Sequence, residues 1–141
     1  WLIYAPAKKR MFYSFGKGNA FELCDGKTIN LSEKNIKSRP IKFVSYSNKI
    51  KPEIQKIYQE VGVLENIKMK SSLKFCVVAA GDYDGYVAEP RAYEWDIAAG
   101  HAILEHSGGT VTDFDGKEIL YGKKDLKNPS LILKSKNIFN V

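Results

Sequence analysis

Between residues 2 and 31 the apolar positions fall into short runs rich in aromatic and β-branched side chains, and each run stops at a turn signal. Residues 2–5, 11–15, 20–24 and 28–31 are the runs; Ala7-Lys8-Lys9, Gly16-Lys17-Gly18 and Asp25-Gly26 separate them. Short strands joined through glycine-containing turns predict antiparallel hairpins. A polar, lysine-rich joint follows at residues 32–39 and ends at Pro40, which biases Arg39 toward an extended backbone.

Beyond Pro40 strand and helix patterns alternate. Residues 41–45 read as a strand. Residues 52–61 place Ile54, Ile57, Tyr58 and Val61 on one helical face, with Pro52 in the first turn and Gly62 as terminator. Residues 63–69 read as extended. Over 71–80, Leu73, Cys76, Val77 and Ala80 recur at helical spacing before Gly81. A turn at 82–85 leads into a strand at 86–88, and a third helix over 94–107 stops at Gly108-Gly109. Residues 110–114, 118–120 and 131–134 complete the strand set. Such alternation predicts an α/β fold: a layered α/β/α sandwich whose mixed sheet is flanked by helices, preceded by antiparallel strands. The expected division is residues 1–38, a partial antiparallel sheet, and residues 39–141, an α/β lobe.

Composition narrows this little. At 141 residues and 44% apolar, the chain suffices for one ordinary core. No run approaches a membrane span, no signal-peptide pattern opens the chain, and Trp1 at the first position suggests that the chain began upstream. Cys24 and Cys76 form no metal or redox motif, so a reducing, cytoplasmic setting is expected. The net charge of +6 invites a nucleic-acid reading, but 19 of the 22 basic residues are scattered lysines, and Arg10, Arg39 and Arg91 are isolated. A solvated basic surface with no nucleic-acid partner is the expectation.

Two helix starts can carry chemistry. At Lys70-Ser71-Ser72-Leu73-Lys74, Ser71 is either an ordinary N-cap beside an exposed lysine or a hydroxyl and backbone N–H poised with Lys74 for a phosphate. At Glu94-Trp95-Asp96, Asp96 either serves the helix dipole alone or also serves a ligand. His101 and His106, about 140° apart on a helix, do not form a metal pair. Asp82-Tyr83-Asp84-Gly85 is no EF-hand loop, and Gly16-Lys17-Gly18 is no dinucleotide fingerprint.

These segments carry a family resemblance. Ser71-Ser-Leu-Lys-Phe-Cys76, then Glu94-Trp-Asp-Ile-Ala-Ala-Gly-His101 and Thr112-Asp-Phe-Asp-Gly116, resemble the C-terminal half of the inositol monophosphatase superfamily, most closely its 3'(2'),5'-bisphosphate nucleotidase branch. The resemblance implies that residues 1–38 are strands of that fold's N-terminal lobe. It implies a Mg2+-dependent phosphatase acting on a small phosphate ester, here a nucleotide. Asp96 becomes a magnesium ligand, and Ser71 and Lys74, with Ser47 and Asn48, become phosphate-binding residues. Magnesium in that family activates a water for attack on phosphorus and stabilises the leaving oxygen.

The sequence departs from the pattern at three places. The family's Glu-Glu and Asp-Pro-Ile/Leu-Asp-Gly-Thr motifs, which carry the other metal ligands, are absent, so no catalytic residue is expected here and the isolated chain is expected to be inactive or strongly impaired. Ser45-Tyr46-Ser47-Asn48 replaces Ser-Arg-Ser-His, and Ala88 stands where an arginine is usual, with Arg91 nearby as a substitute. Lys70 replaces a glycine. The alternatives are an inositol or sugar monophosphatase of the same superfamily, or a non-catalytic remnant or accessory lobe. An uncovered apolar surface around Leu2, Ile3, Phe12 and Phe21, with self-association through it, is also expected.

Overall fold

In the computed structural model, which describes residues 1–35 and 39–140, two sheets enclose a pair of helices. The hairpin pattern becomes a four-stranded antiparallel sheet of β1 (Leu2–Ala5), β2 (Arg10–Gly16), β3 (Asn19–Cys24) and β4 (Lys27–Asn30), in that order. Gly18 and Gly26, with φ of 82° and 74°, supply the left-handed turn residues that these tight connections need. The anticipated joint lies partly on residues 36–38, outside the described residues.

The second sheet has the order β6-β5-β7-β9-β8. It comprises β5 (Lys42–Ser45), β6 (Glu65–Lys68), β7 (Gly85–Ala88), β8 (Thr110–Thr112) and β9 (Leu131–Lys134). β5 runs parallel to β6 and β7, whereas β9 is antiparallel to β7 and β8, so the sheet is mixed as expected. All four residues of β7 are buried, because both faces of this central strand are covered. Residues 118–120 do not form a strand: Glu118 makes one isolated bridge to Thr112, and the chain then turns away.

Three helices fill the layers: α1 (Pro52–Val61), α2 (Leu73–Ala79) and α3 (Glu94–His106). α1 rests its Ile54, Ile57, Tyr58 and Val61 face on Phe43, Val87 and Ile132 of the mixed sheet. α2 and α3 pack between the two sheets. One continuous core joins Phe12, Ala20 and Leu31 of the first sheet's side to Cys76, Val78, Ile103 and Leu104, and onward to Val44, Tyr86 and Leu133. α2 and α3 touch where Gly100 faces Phe75; a Cβ built on Gly100 lies 2.6 Å from the Phe75 Cβ, so only glycine fits the contact. Enclosure on all sides buries every residue of α2, Lys74 included, where helical spacing had suggested one apolar face.

Strand alternation also corrects the expected apolar surface. Cross-strand partners share a face. Ile3 pairs with Phe12, and this set points into the core, leaving Phe12 with no exposure. Leu2, Tyr13 and Phe21 share the opposite face, where Phe21 stacks with Tyr13 and Phe15. Leu2 and Phe15 on that outer face are 57% and 70% exposed.

Candidate active site

The N-terminal ends of α2 and α3 and the C-terminal ends of β5 and β7 meet at one cleft of about 280 Å³. Ser71, Ser72 and Lys74 line it from the α2 side, Asp96 and Ile97 from α3, Tyr46 from the loop after β5, and Ala88, Glu89 and Arg91 from the segment after β7. Side chains far apart in sequence therefore surround one space. Three of the residues anticipated from sequence, Ser71, Lys74 and Asp96, face it together.

Lys74 dominates its electrostatics. The side chain is buried because α2 is enclosed, and its Nζ donates to the Ser71 carbonyl oxygen at 2.8 Å. The ammonium lies 4.9 Å from the Tyr86 ring centroid and 5.9 Å from that of Tyr46. Among the described residues no carboxylate pairs with it. Burial, aided by the nearby positive charge of Arg91, lowers its pKa to about 8. A buried cation without a counterion is costly unless an anion arrives.

Ser71 does not cap the helix in the expected manner. α2 begins at Leu73, and the cap residue is Ser72. The Ser71 hydroxyl oxygen accepts the Leu73 N–H at 3.0 Å, forming a local serine turn. Its proton remains free to donate into the cleft. Asp96 meets the expected helix-start role: its Oδ2 accepts the Tyr93 N–H at 2.9 Å, a capping-box arm that leaves the exposed carboxylate's second oxygen unused.

Ser47 lies outside this cleft, in a neighbouring one of about 460 Å³ that shares Tyr46, Tyr86, Ala88, Glu89 and Arg91 with the first. Asn48 is exposed on the same loop and lines neither. Neither Tyr46 nor Tyr86 is among the expected site residues, although Tyr46 stands in the place of the arginine of the family's Ser-Arg-Ser-His. Yet Tyr46 has Lys70, Lys74 and Arg91 around its ring, with Arg91 the nearest at 3.6 Å. The clue available was local: an aromatic stands in a serine-rich loop immediately after a buried strand.

The carboxylates do not gather. Glu94, two residues from Asp96, points the other way: it accepts the N–H groups of Gly122 and Lys123 and pairs with the Lys123 ammonium at 2.7 Å. The Lys123 side chain and then these two N–H groups hold its pKa down to about 2. Glu89 is bound to Lys51 at 2.7 Å. Among the described residues no three His, Cys, Asp or Glu side chains come together as a metal-holding group. Magnesium needs near-octahedral oxygen coordination, and one free Asp96 oxygen does not complete it, so the residues present do not by themselves fit that ion. The two histidines diverge as their spacing required: His101 contacts Tyr121 and Glu105, and His106 contacts Ser14.

Comparison with known proteins places this arrangement. The sequence matches the inositol monophosphatase family over residues 2–139. It is 32% identical over 124 residues to the 3'(2'),5'-bisphosphate nucleotidase CysQ of Salmonella typhimurium, across 88% of this chain and 49% of that protein. It is 31% identical over 121 residues to a fructose-1,6-bisphosphatase/inositol-1-monophosphatase of Thermotoga maritima, across 83% of this chain and 44% of that protein. The crystal structure of CysQ from Bacteroides thetaiotaomicron superposes with a TM-score of 0.76 at 27% identity, covering 96% of this chain and 57% of the other. The chain thus spans about half the length of these curated relatives. No helix of the described residues is long and apolar enough to cross a membrane. With the sequence match running from one end to the other and the two-sheet layering reproduced in a solved relative, the chain belongs to the inositol monophosphatase family.

Proposed function

We propose that this chain carries the phosphate-binding side of a Mg2+-dependent phosphomonoesterase of the 3'(2'),5'-bisphosphate nucleotidase type, which removes the 3'-phosphate from 3'-phosphoadenosine 5'-phosphate. The observation that carries this reading is the buried, unpaired Lys74 ammonium opening into the cleft that Asp96 also lines. Lys74 binds a phosphate oxygen as a point charge, and the free Ser71 O–H donates a second bond to it. Asp96, with one oxygen unused, is the cleft residue that would contribute to holding a divalent cation, although it does not complete the coordination by itself. Ser47, in the adjoining cleft, contacts the remainder of the ligand, whereas Asn48, which lines neither cleft, takes no part.

Magnesium, when bound, supplies charge at the attacking and leaving oxygens. With a single carboxylate available, these 141 residues on their own hold the ion weakly and release little phosphate. The bisphosphate nucleotidases named above support the nucleotide substrate; the Thermotoga relative's name keeps inositol phosphate as the second reading. We also propose that the outer face bearing Leu2, Tyr4 and Phe15 drives self-association of the isolated chain.

The test compares phosphate release from 3'-phosphoadenosine 5'-phosphate and from inositol 1-phosphate. It uses the 141-residue chain and any longer form that contains it. The longer form is expected to prefer the nucleotide and to lose turnover in the Lys74→Met variant, and the short chain is expected to be nearly silent. Full Mg2+-dependent turnover by the short chain refutes the incomplete-site argument, and indifference to the nucleotide refutes the substrate.

A further inference from the structure

A third recess, of about 470 Å³, shares no residue with the two clefts. Both sheets contribute to it. Lys8 lines it from the short turn after β1, Arg10 from the start of β2, Arg39 and Lys42 from the entry to β5, and Asp82 and Tyr83 from the turn after α2. Four cations therefore surround one concave space, with Asp82 as its one lining carboxylate.

The protein answers these cations unequally. Arg10 is fully engaged: Glu22 accepts from its Nε and Nη2, and Asp82 accepts from its Nη1 at 2.8 Å. Arg39 donates Nη2 to the Gly81 carbonyl oxygen at 2.6 Å and stands 3.4 Å from Asp84, while its buried Nε–H meets no acceptor among the described residues. The Lys42 ammonium lies 5.2 Å from the Tyr83 ring centroid. Neither Lys42 nor Lys8 pairs with a carboxylate among the described residues. Two ammoniums and an incompletely matched guanidinium thus face the recess together. Buried donors without acceptors are rare in folded proteins, and cations gathered in a concavity attract an anion more strongly than the same charges scattered over a surface.

We propose that this recess is a second anion site, separate from the Lys74 cleft, for a dianionic tetrahedral oxyanion: free sulfate or phosphate, or the same group on a small ester. Lys8 and Lys42 balance the two charges, and Arg39 adds guanidinium donors. The apolar side of the recess, at Val77 and Tyr83, accommodates the organic part of an ester. Because the cations come from the strands of both sheets, a bound anion ties the sheets together and stabilises the folded chain. The inference does not depend on what the Lys74 cleft receives.

The experiment is isothermal titration of the 141-residue chain with sodium sulfate in the Lys74→Met background, which silences the first cleft, with sodium chloride at matched ionic strength as the blank. One saturable sulfate site is expected. Losing a charge-assisted contact corresponds to roughly 10-fold in affinity, the effect expected of Lys42→Met; Lys8→Met, at an exposed position, is expected to weaken sulfate about threefold. Asp82→Asn removes the lining negative charge and is expected to tighten sulfate about 3- to 10-fold, a gain that a purely structural ion pair does not give. Lys56→Met removes an exposed charge on α1, away from the recess, and is expected to leave affinity within about twofold. Sulfate is also expected to raise the melting temperature of the parent more than that of Lys42→Met, which separates site binding from general salting effects. Circular dichroism checks folding, and Lys8→Met and Asp82→Asn carry the test if Lys42→Met does not fold. Phenyl phosphate identifies the source: tighter binding than sulfate assigns an ester lying against Tyr83, and weaker binding assigns the free ion. Absence of saturable sulfate binding, insensitivity to all the recess variants, or equal weakening by Lys56→Met overturns the proposal.

Discussion

Replacing Lys74 by methionine is expected to make the protein more stable while removing its grip on phosphate. The buried stem packs as methionine packs, so the change removes chiefly the charge. Burial moves the ammonium from its ordinary 10.5 to about 8. At about 1.4 kcal/mol per pH unit, complete sequestration would correspond to roughly 3 kcal/mol against folding in the charged state. The cleft admits solvent to one side of the ammonium, and screening leaves about 1–2 kcal/mol of that. The Ser71 carbonyl loses the ammonium but keeps the Lys74 backbone N–H at 3.3 Å, and Ser71 is exposed, so that loss offsets little. The pH dependence fixes the sign. The unfolded chain keeps this proton up to about 10.5 and the folded chain releases it near 8, so unfolding takes up a proton between those values. The stability of the unmodified protein therefore rises with pH through that window, and the methionine variant's advantage disappears there. Urea unfolding, followed by far-ultraviolet circular dichroism from about pH 6 to about pH 10, measures the difference. A variant that is less stable at neutral pH, or whose gain is independent of pH, refutes the account of Lys74 as an uncompensated buried cation.

Inorganic phosphate binding by the unmodified chain is expected to weaken as pH rises past about 8, where Lys74 loses its proton; titration calorimetry across that range checks it. Asp96→Asn retains an acceptor for the Tyr93 N–H and should melt near the unmodified temperature, whereas Asp96→Ala loses the cap and about 1 kcal/mol. Equal melting of both variants would show the cap to be idle. Gly100→Ala drives a methyl into Phe75 and should cost about 1–3 kcal/mol in denaturant unfolding; a neutral result would mean that α2 and α3 are free to separate. Glu94, held at about 2 against an ordinary 4.5, contributes stability above about 4.5 that is lost as pH falls toward 2. Glu94→Gln should flatten acid unfolding in that window and speed hydrogen exchange at the Gly122 and Lys123 amides.

Much of the molecule was legible in its residues because the local rules were strong. Alternation and glycine turns laid out the four antiparallel strands. Pro52 and Gly62 bounded α1 correctly at both ends, because proline and glycine act within their own turn. The pattern at residues 118–120 misled, since a short apolar run carries no information about whether a neighbouring strand has an unpaired edge to offer.

What only the tertiary structure decided is which side chains share a space and at what electrostatic cost. Helical spacing gave Lys74 an exposed position, and the second sheet buried it. The strand period implied two faces for the first sheet, but packing against α3 determined that Phe12 is covered while Phe15 and Leu2 are not. By spacing Arg91 is an isolated cation, and only the resemblance offers it as a substitute for the arginine missing at Ala88; its place lining both clefts follows from the contact between the segment after β7 and the loop after β5. Secondary structure follows from interactions among near neighbours, which the order of residues encodes directly. Burial, and with it the charge state and reach of Lys74 and Arg91, depends on segments distant in the chain, whose approach is settled only when the whole core closes.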